Sequence, residues 1–281
     1  MTEFRPGRFE ILPIIIKNLL IINGIFFLAQ VTFSKGAVPV FSFEDNFALH
    51  AWQSELFKPW QLLTHMFMHS TQDYFHIIGN MFALWMFGSV LENVWGAKRF
   101  LTFYLICGLG AALMHLLFLS YELSPMIRDY ALVAQSQNDA VAFTDALLSF
   151  GRKYELSWYQ PELINYLRST PANREITEQI LSNITAFYDG RLNTATVGAS
   201  GAVFGILAAF IYLFPNTYIY IYFLVPVKAK WLGLFYFGYE VFYAIQNSAG
   251  DNVARWAHIG GGLVGLLIVI TWNKTNKKTL Y

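Results

Sequence analysis

Six apolar runs divide this 281-residue chain and leave few folds open to it: Ile11–Phe33, Phe75–Val94, Phe100–Leu119, Ala199–Phe214, Trp231–Ala244 and Ala257–Trp272. In hydrocarbon no water is available to peptide groups, so a spanning segment must pair its own N–H and C=O groups as a helix, or close into a barrel. A helix crosses with about 20 residues, and a shorter run suffices where its end is sheltered inside the bundle. The predicted fold class is all-α, a polytopic membrane bundle of six transmembrane helices. Composition supports this: 13% of residues are charged, against about 25% in soluble domains. No small-x-small cleavage site follows the first run, which therefore reads as an anchor rather than a removed leader. Asn273–Tyr281 is polar and basic, leaving no room for a seventh span.

Charge sets the expected sidedness. If the spans alternate, Arg5, Arg8, Lys98, Arg99, Lys228, Lys230, Lys274, Lys277 and Lys278 all fall on one side, the positive-inside pattern. This predicts a multi-pass protein of the cell membrane with both termini cytoplasmic. Ser34–Tyr74, Ser120–Val197 and Ile245–Trp256 then face the other side. With a net charge of +1 and no basic run nothing points to nucleic acid, and no nucleic-acid partner is expected; the lipid bilayer is the expected surroundings. Ser34–Tyr74 is rich in aromatics, among them Trp52 and Trp60, and aromatics prefer the membrane interface. It reads as a half-embedded loop, or else as a partner-binding surface. Ser120–Val197 carries nine acidic and six basic residues and reads as a helical extracytoplasmic insertion. Ser124-Pro125 and Thr170-Pro171 place a capping residue before a proline suited to the first helical position, and Asn138 or Asp139 can cap a third helix. The domain division is 1–119 with three spans, 120–197 as the insertion and 198–281 with the remaining three. The lone Cys107 can form no intramolecular disulfide and reads as a small buried hydrophobe.

Chemistry concentrates around Gly198-Ala199-Ser200-Gly201-Ala202-Val203-Phe204-Gly205. Small residues here are consistent with close helix packing alone. His258, however, is an ionisable group at membrane depth, which is a functional hypothesis in itself. Ala257, Gly261 and Gly265 recur every four residues and form a smooth face, and Gly201 and Gly205 offer span four the counterpart. If those faces meet, Ser200 and His258 come together, and an imidazole beside a serine hydroxyl can take its proton as general base. A helix starting near Ala199 also presents unpaired N–H groups and its positive dipole end at the serine, the donors an oxyanion needs. His76 and Asn80, four residues apart, share one face of span two at the same end.

These three motifs together resemble the rhomboid family of intramembrane serine proteases, in its six-span bacterial form with a large insertion between spans three and four. The family's GxSG corresponds to Gly198–Gly201, its AHxxGxxxG to Ala257–Gly265, its HxxxN to His76–Asn80, and Gly88–Glu92 with Trp95-Gly96 matches a further run. The resemblance implies Ser200 as nucleophile and His258 as general base, a dyad with no third acid. It also implies His76, Asn80 and the Ser200 N–H as oxyanion donors, and transmembrane protein substrates cut near the extracytoplasmic face. Three departures stand out. Gln61 follows Trp60 where the family often has arginine, so an arginine-centred network is absent or replaced. Phe204 stands where a tyrosine often stacks on the catalytic histidine. The stretch from His69 to His76 is longer than usual.

The residues imply no cofactor and no metal site: His65 and His69 lack the glutamate of HExxH and read as loop and interface histidines. His115 reads as structural, with no evident partner. The competing function is a catalytically inactive rhomboid-like protein that binds membrane clients. The insertion at 120–197 is expected to recruit substrate or another partner, or to be a passive elaboration.

Overall fold

A computed structural model describes residues 9–35, 41–170, 174–221, 224–246 and 253–275. Arg5, Arg8, Pro171, Lys277 and Lys278, invoked above, lie outside the described residues. Among the described residues the chain is built from helices, with one small hairpin. Each apolar run has become a helix: α1 (Ile14–Lys35), α4 (Tyr74–Trp95), α5 (Ala97–Gln135), α9 (Ser200–Leu213), α10 (Ala229–Gln246) and α11 (Arg255–Thr275). Between them come the short α2 (Phe43–Phe47) and α3 (Gln61–Thr64), and then α6 (Ala140–Lys153), α7 (Pro161–Ser169) and α8 (Arg174–Leu192). Among the described residues, α1, α4, α5 and α11 are long and apolar enough to cross a membrane, while α9 is a shorter apolar helix. α10 carries Tyr236, Tyr239, Glu240 and Tyr243 among its apolar residues.

The chain folds into two compact units, one of residues 1–50, 56–117 and 195–281 and the other of 51–55 and 118–194. In the first, Phe100, Phe103, Tyr104 and Cys107 line one face of α5 at helical spacing and are fully buried. They pack with Leu84 and Leu91 of α4 and Ile206 and Phe210 of α9. Every residue of α9 from Gly201 to Phe210 is buried, as expected of a helix that is apolar on all sides. Lipid is as apolar as leucine, so shape and polar bonds, more than transfer from water, specify this packing.

The run Gly88–Gly96 acts in this packing. Gly88 leaves room for Ile16 of α1, since a Cβ there would lie 2.6 Å from Ile16 Cδ1. Glu92 reaches the start of α1, where its two oxygens accept from the Ile15 and Ile16 N–H groups, each at 2.9 Å. A buried carboxylate at a helix N-terminus satisfies orphan amides and complements the dipole. Trp95 meets Trp272 of α11 edge to face at 5.4 Å.

Two features depart from the sequence reading. Pro125 does not begin a helix: it lies inside α5, which runs on past the expected end at Leu119. Proline removes the N–H that would bond the carbonyl four residues back, and Ser124 Oγ donates to that carbonyl, Tyr121 O, at 3.0 Å. The second is a hairpin that was not anticipated. β1 (Tyr218–Ile221) pairs antiparallel with β2 (Val225–Lys228), with Tyr218 opposite Lys228 and Ile221 opposite Val225. Its signal was present in the aromatic and β-branched alternation Tyr-Ile-Tyr-Ile.

The second unit has its own core, with Leu147, Phe150, Leu167, Ile180 and Ile184 at its centre. Asp139 caps α6 by accepting from Val141 and Ala142 N–H at 2.9 and 3.1 Å. Pro161 starts α7, which the sequence reading did not single out. Ser54 Oγ bonds Asn193 Oδ1 at 2.5 Å, fixing residues 51–55 within this unit.

Replacing Glu92 with alanine strands two helix-start amides. The expected outcome is a loss of about 3 kcal/mol of stability, from two hydrogen bonds to a charged acceptor. Thermal unfolding of Glu92→Ala in detergent against the parent protein measures it.

Candidate active site

The serine loop is anchored from three directions before the helix begins. Thr196 pairs with Leu49 through N–H to O bonds of 2.9 and 2.8 Å. His115 Nε2 lies 2.8 Å from Thr196 Oγ1, so the histidine read as lacking a partner has one. Gly198 N donates to His65 O at 3.0 Å. Gly198 adopts φ +134°, and a Cβ there would sit 3.0 Å from His76 Nε2 and 3.3 Å from Ser200 Oγ, so glycine is required on both counts.

The first-loop departure at Gln61 resolves into a replacement network. Its side chain is fully buried, and Nε2 donates to Asp45 O at 3.0 Å and Leu56 O at 2.9 Å. Its Oε1 accepts from Lys58 N at 3.1 Å and His50 N at 3.3 Å. One neutral amide thus ties together the strap that carries Leu49. His65 and His69 are both buried within the protein. Gln30 of α1 clamps His69 by donating to its carbonyl at 2.8 Å and accepting from its N–H at 2.9 Å.

α9 and α11 meet at their glycines. A Cβ on Gly265 would lie 2.6 Å from Gly205 O, and one on Gly261 would collide with the Gly201 carbonyl. A Cβ on Gly205 would lie 2.5 Å from Cys107 Sγ of α5 and 3.0 Å from Gly261 O of α11. Backbones this close bring Ser200 Oγ to 2.8 Å from His258 Nε2. Phe204 stacks on the His258 ring at 4.3 Å and 8°, and it also meets Tyr236 at 5.1 Å and Phe237 at 5.4 Å. Phenylalanine fixes the imidazole plane by contact alone.

Around the serine, Ala199 gives α9 no side-chain cap, so the first-turn amides have no carbonyl one turn back. His76 Nδ1 accepts from Ser70 N at 3.3 Å, which places the proton of the neutral ring on Nε2, the atom beside Gly198. Asn80 is buried, and its Nδ2 donates to His76 O at 2.8 Å; among the described residues no hydrogen bond joins it to Ser200 or His258. The site therefore holds a serine hydroxyl against an imidazole nitrogen, with N–H donors close by. Among the described residues no group of three or more His, Cys, Asp or Glu side chains is placed to hold a metal ion.

Sequence reasoning missed Glu240 of α10. It is 3% exposed, and its Oε2 lies 3.1 Å from His258 Nδ1 and 3.4 Å from Arg255 Nη1. The dyad was expected to have no third acid, yet a carboxylate stands at the second nitrogen of its histidine. The rule that singled out His258, that ionisable groups at membrane depth are costly, applied equally to Glu240 and would have found it.

The sequence matches the Rhomboid domain over residues 56–127 and 174–274, well over half of the chain. The chain belongs to the Rhomboid family. Similar curated rhomboids include an uncharacterized mitochondrial rhomboid protein of Schizosaccharomyces pombe, 26% identical over 273 residues, covering 93% of this chain and 65% of that protein. Mitochondrial RHOMBOID-like protein 12 of Arabidopsis thaliana is 25% identical over 77% of this chain and 46% of its own length. Mitochondrial Rhomboid protein 1 of Saccharomyces cerevisiae is 24% identical, with 70% and 38% covered. This rhomboid chain thus spans between about two fifths and two thirds of the lengths of these relatives. They come from two fungi and a plant rather than from bacteria, and all three are named mitochondrial. That corrects the expected cell-membrane location with cytoplasmic termini. Hydropathy reads the presence of a bilayer and charge reads its sides, but neither identifies the membrane. A multi-pass membrane protein of the rhomboid type, protease or pseudoprotease, is what family and helices establish.

Burial holds the His65 pKa down at about 4 and, with His76 nearby, that of His69 at about 3. Both lie outside the spanning helices. A folded pKa below the ordinary 6.5 means the stabilisation is complete above pH 6.5 and is lost as pH falls toward 4. Melting temperature should therefore drop between pH 7.5 and 5, and by less in His65→Asn, which removes one titrating group.

Proposed function

We propose that this rhomboid is an active intramembrane serine endopeptidase that cleaves transmembrane segments of membrane proteins, and that its membrane is mitochondrial. The observation that carries the reading is the 2.8 Å contact between Ser200 Oγ and His258 Nε2, in a chain whose serine and histidine both persist. A pseudoprotease that only binds clients has no need of that pair. The names of the relatives support the mitochondrial location.

The chemistry follows from the geometry. His258 Nε2 takes the Ser200 proton as the oxygen attacks the scissile carbonyl. The tetrahedral oxyanion accepts from the Ser200 N–H and from His76 Nε2–H, with Asn80 Nδ2 turning toward it as a further donor. The imidazolium then protonates the leaving amine, the peptide bond breaks, and an acyl ester on Ser200 remains. Water, deprotonated by the same nitrogen, hydrolyses the ester and regenerates the serine. The head of α9 is proposed to lie below the membrane surface: its 14 residues span about 21 Å, less than the ~30 Å hydrocarbon core. The charged helices of the second unit are proposed to lie outside the bilayer.

Purified protein with a fluorogenic transmembrane substrate tests this. Ser200→Ala and His258→Ala should each lose at least about a thousandfold in kcat, and Asn80→Ala about 10²-fold, as when one oxyanion donor is removed. Cleavage undiminished in Ser200→Ala rejects the mechanism.

A further inference from the structure

Glu240 is a buried carboxylate that the two-residue mechanism does not use. An acid at membrane depth is costly unless it is paired, and here two groups converge on one of its oxygens. Arg255 Nη1, its guanidinium set against the Tyr239 and Tyr243 rings at 5.4 and 5.0 Å, is 3.4 Å away. That is long for a charge-assisted bond, which usually measures about 2.7–2.9 Å. His258 Nδ1 is nearer, at 3.1 Å.

We propose that Glu240 is a positioning residue that holds His258 in the tautomer and orientation needed to accept the Ser200 proton, so that the working constellation is Ser200–His258–Glu240. The proposal rests on the reading of Ser200 and His258 as a hydrolytic pair. A neutral imidazole has one proton. For Nε2 to accept from Ser200, that proton must sit on Nδ1 and find an acceptor there. A carboxylate is such an acceptor, and Glu240 Oε2 is the one the fold supplies. Phe204 cannot do this. Its stacked ring, parallel to the imidazole within 8°, resists tilting but has no polar atom to tell one tautomer from the other, or one ring flip from the other. The two contacts are complementary, since Phe204 fixes the plane while Glu240 fixes rotation within it and the position of the proton. When the serine proton arrives, both ring nitrogens carry hydrogen, and the same carboxylate faces the new positive charge. The competing role is a counter-ion for Arg255 with an incidental histidine contact.

Histidine tautomers are read directly by nitrogen chemical shifts in protein labelled at the imidazole nitrogens. In Ser200→Ala protein with Glu240 intact, at neutral pH, Nδ1 of His258 should be protonated and Nε2 bare. An Nε2-protonated ring there overturns the proposal without any Glu240 variant. In Glu240→Gln, whose amide can donate to Nδ1, the Nε2–H tautomer should gain. The rate of Ser200 labelling by a fluorophosphonate should fall about a thousandfold, and kcat for the transmembrane substrate should fall with it while KM stays within threefold. Unchanged tautomer populations in Glu240→Gln overturn the proposal. So does an Arg255→Gln variant that loses as much labelling as Glu240→Gln with the tautomer unaltered, the signature of the counter-ion role. Failure of the intact chain to label at all rejects the hydrolase reading instead, and the tautomer measurement still decides the role of Glu240.

Discussion

The site depends on how closely two helix backbones approach. Gly201 and Gly205 of α9 face Gly261 and Gly265 of α11 with no room for a side chain at the contact. Without water to drive apolar surfaces together, such a contact is selected by shape and dispersion. Its consequence is chemical. Ser200 begins one helix and His258 lies in the first turn of the other, so the separation of the backbones sets the separation of hydroxyl and imidazole. A methyl group at Gly261 would collide with the Gly201 carbonyl, so the two helices, and with them the hydroxyl and the imidazole, would have to part.

Around that contact the fold suspends the serine loop from groups remote in sequence. Leu49, His65 and His115 each hold Thr196 or Gly198, and Gln61 organises the strap behind Leu49 with four bonds from one amide. A neutral amide can replace a cation here because every partner is a peptide group. Asp45 and Leu56 offer carbonyls, Lys58 and His50 offer N–H groups, and no net charge is needed to satisfy them.

The helices were legible because apolar runs at membrane length have few alternatives. Packing of α9 on α11 could be read from glycines four residues apart, since that period has a direct geometric meaning. Other features depend on tertiary neighbours. Ser124-Pro125 looks like a helix start by local rules, yet α5 runs through it with Leu123 and Met126 packed into the core of the second unit. Glu240 was hidden for a different reason: span five was read for its length and apolar character, and one acid among aromatics left that reading intact. Its meaning came from where α10 places it, beside a histidine eighteen residues further along the chain. The identity of the membrane is not a property of the spans at all, and it entered through the relatives.

The Glu92 cap makes α1 dependent on α4. The first amides of α1 find their acceptor on α4, a carboxylate 76 to 77 positions later in the chain, and Gln30 of α1 finds its partner in the loop that leads to α4. Neither end of α1 is completed by its own sequence, so it is a finished element only with α4 beside it. The polar bonds that close α1 at both ends take no partner from the serine and histidine helices, so the first long helices are joined by a lock of their own.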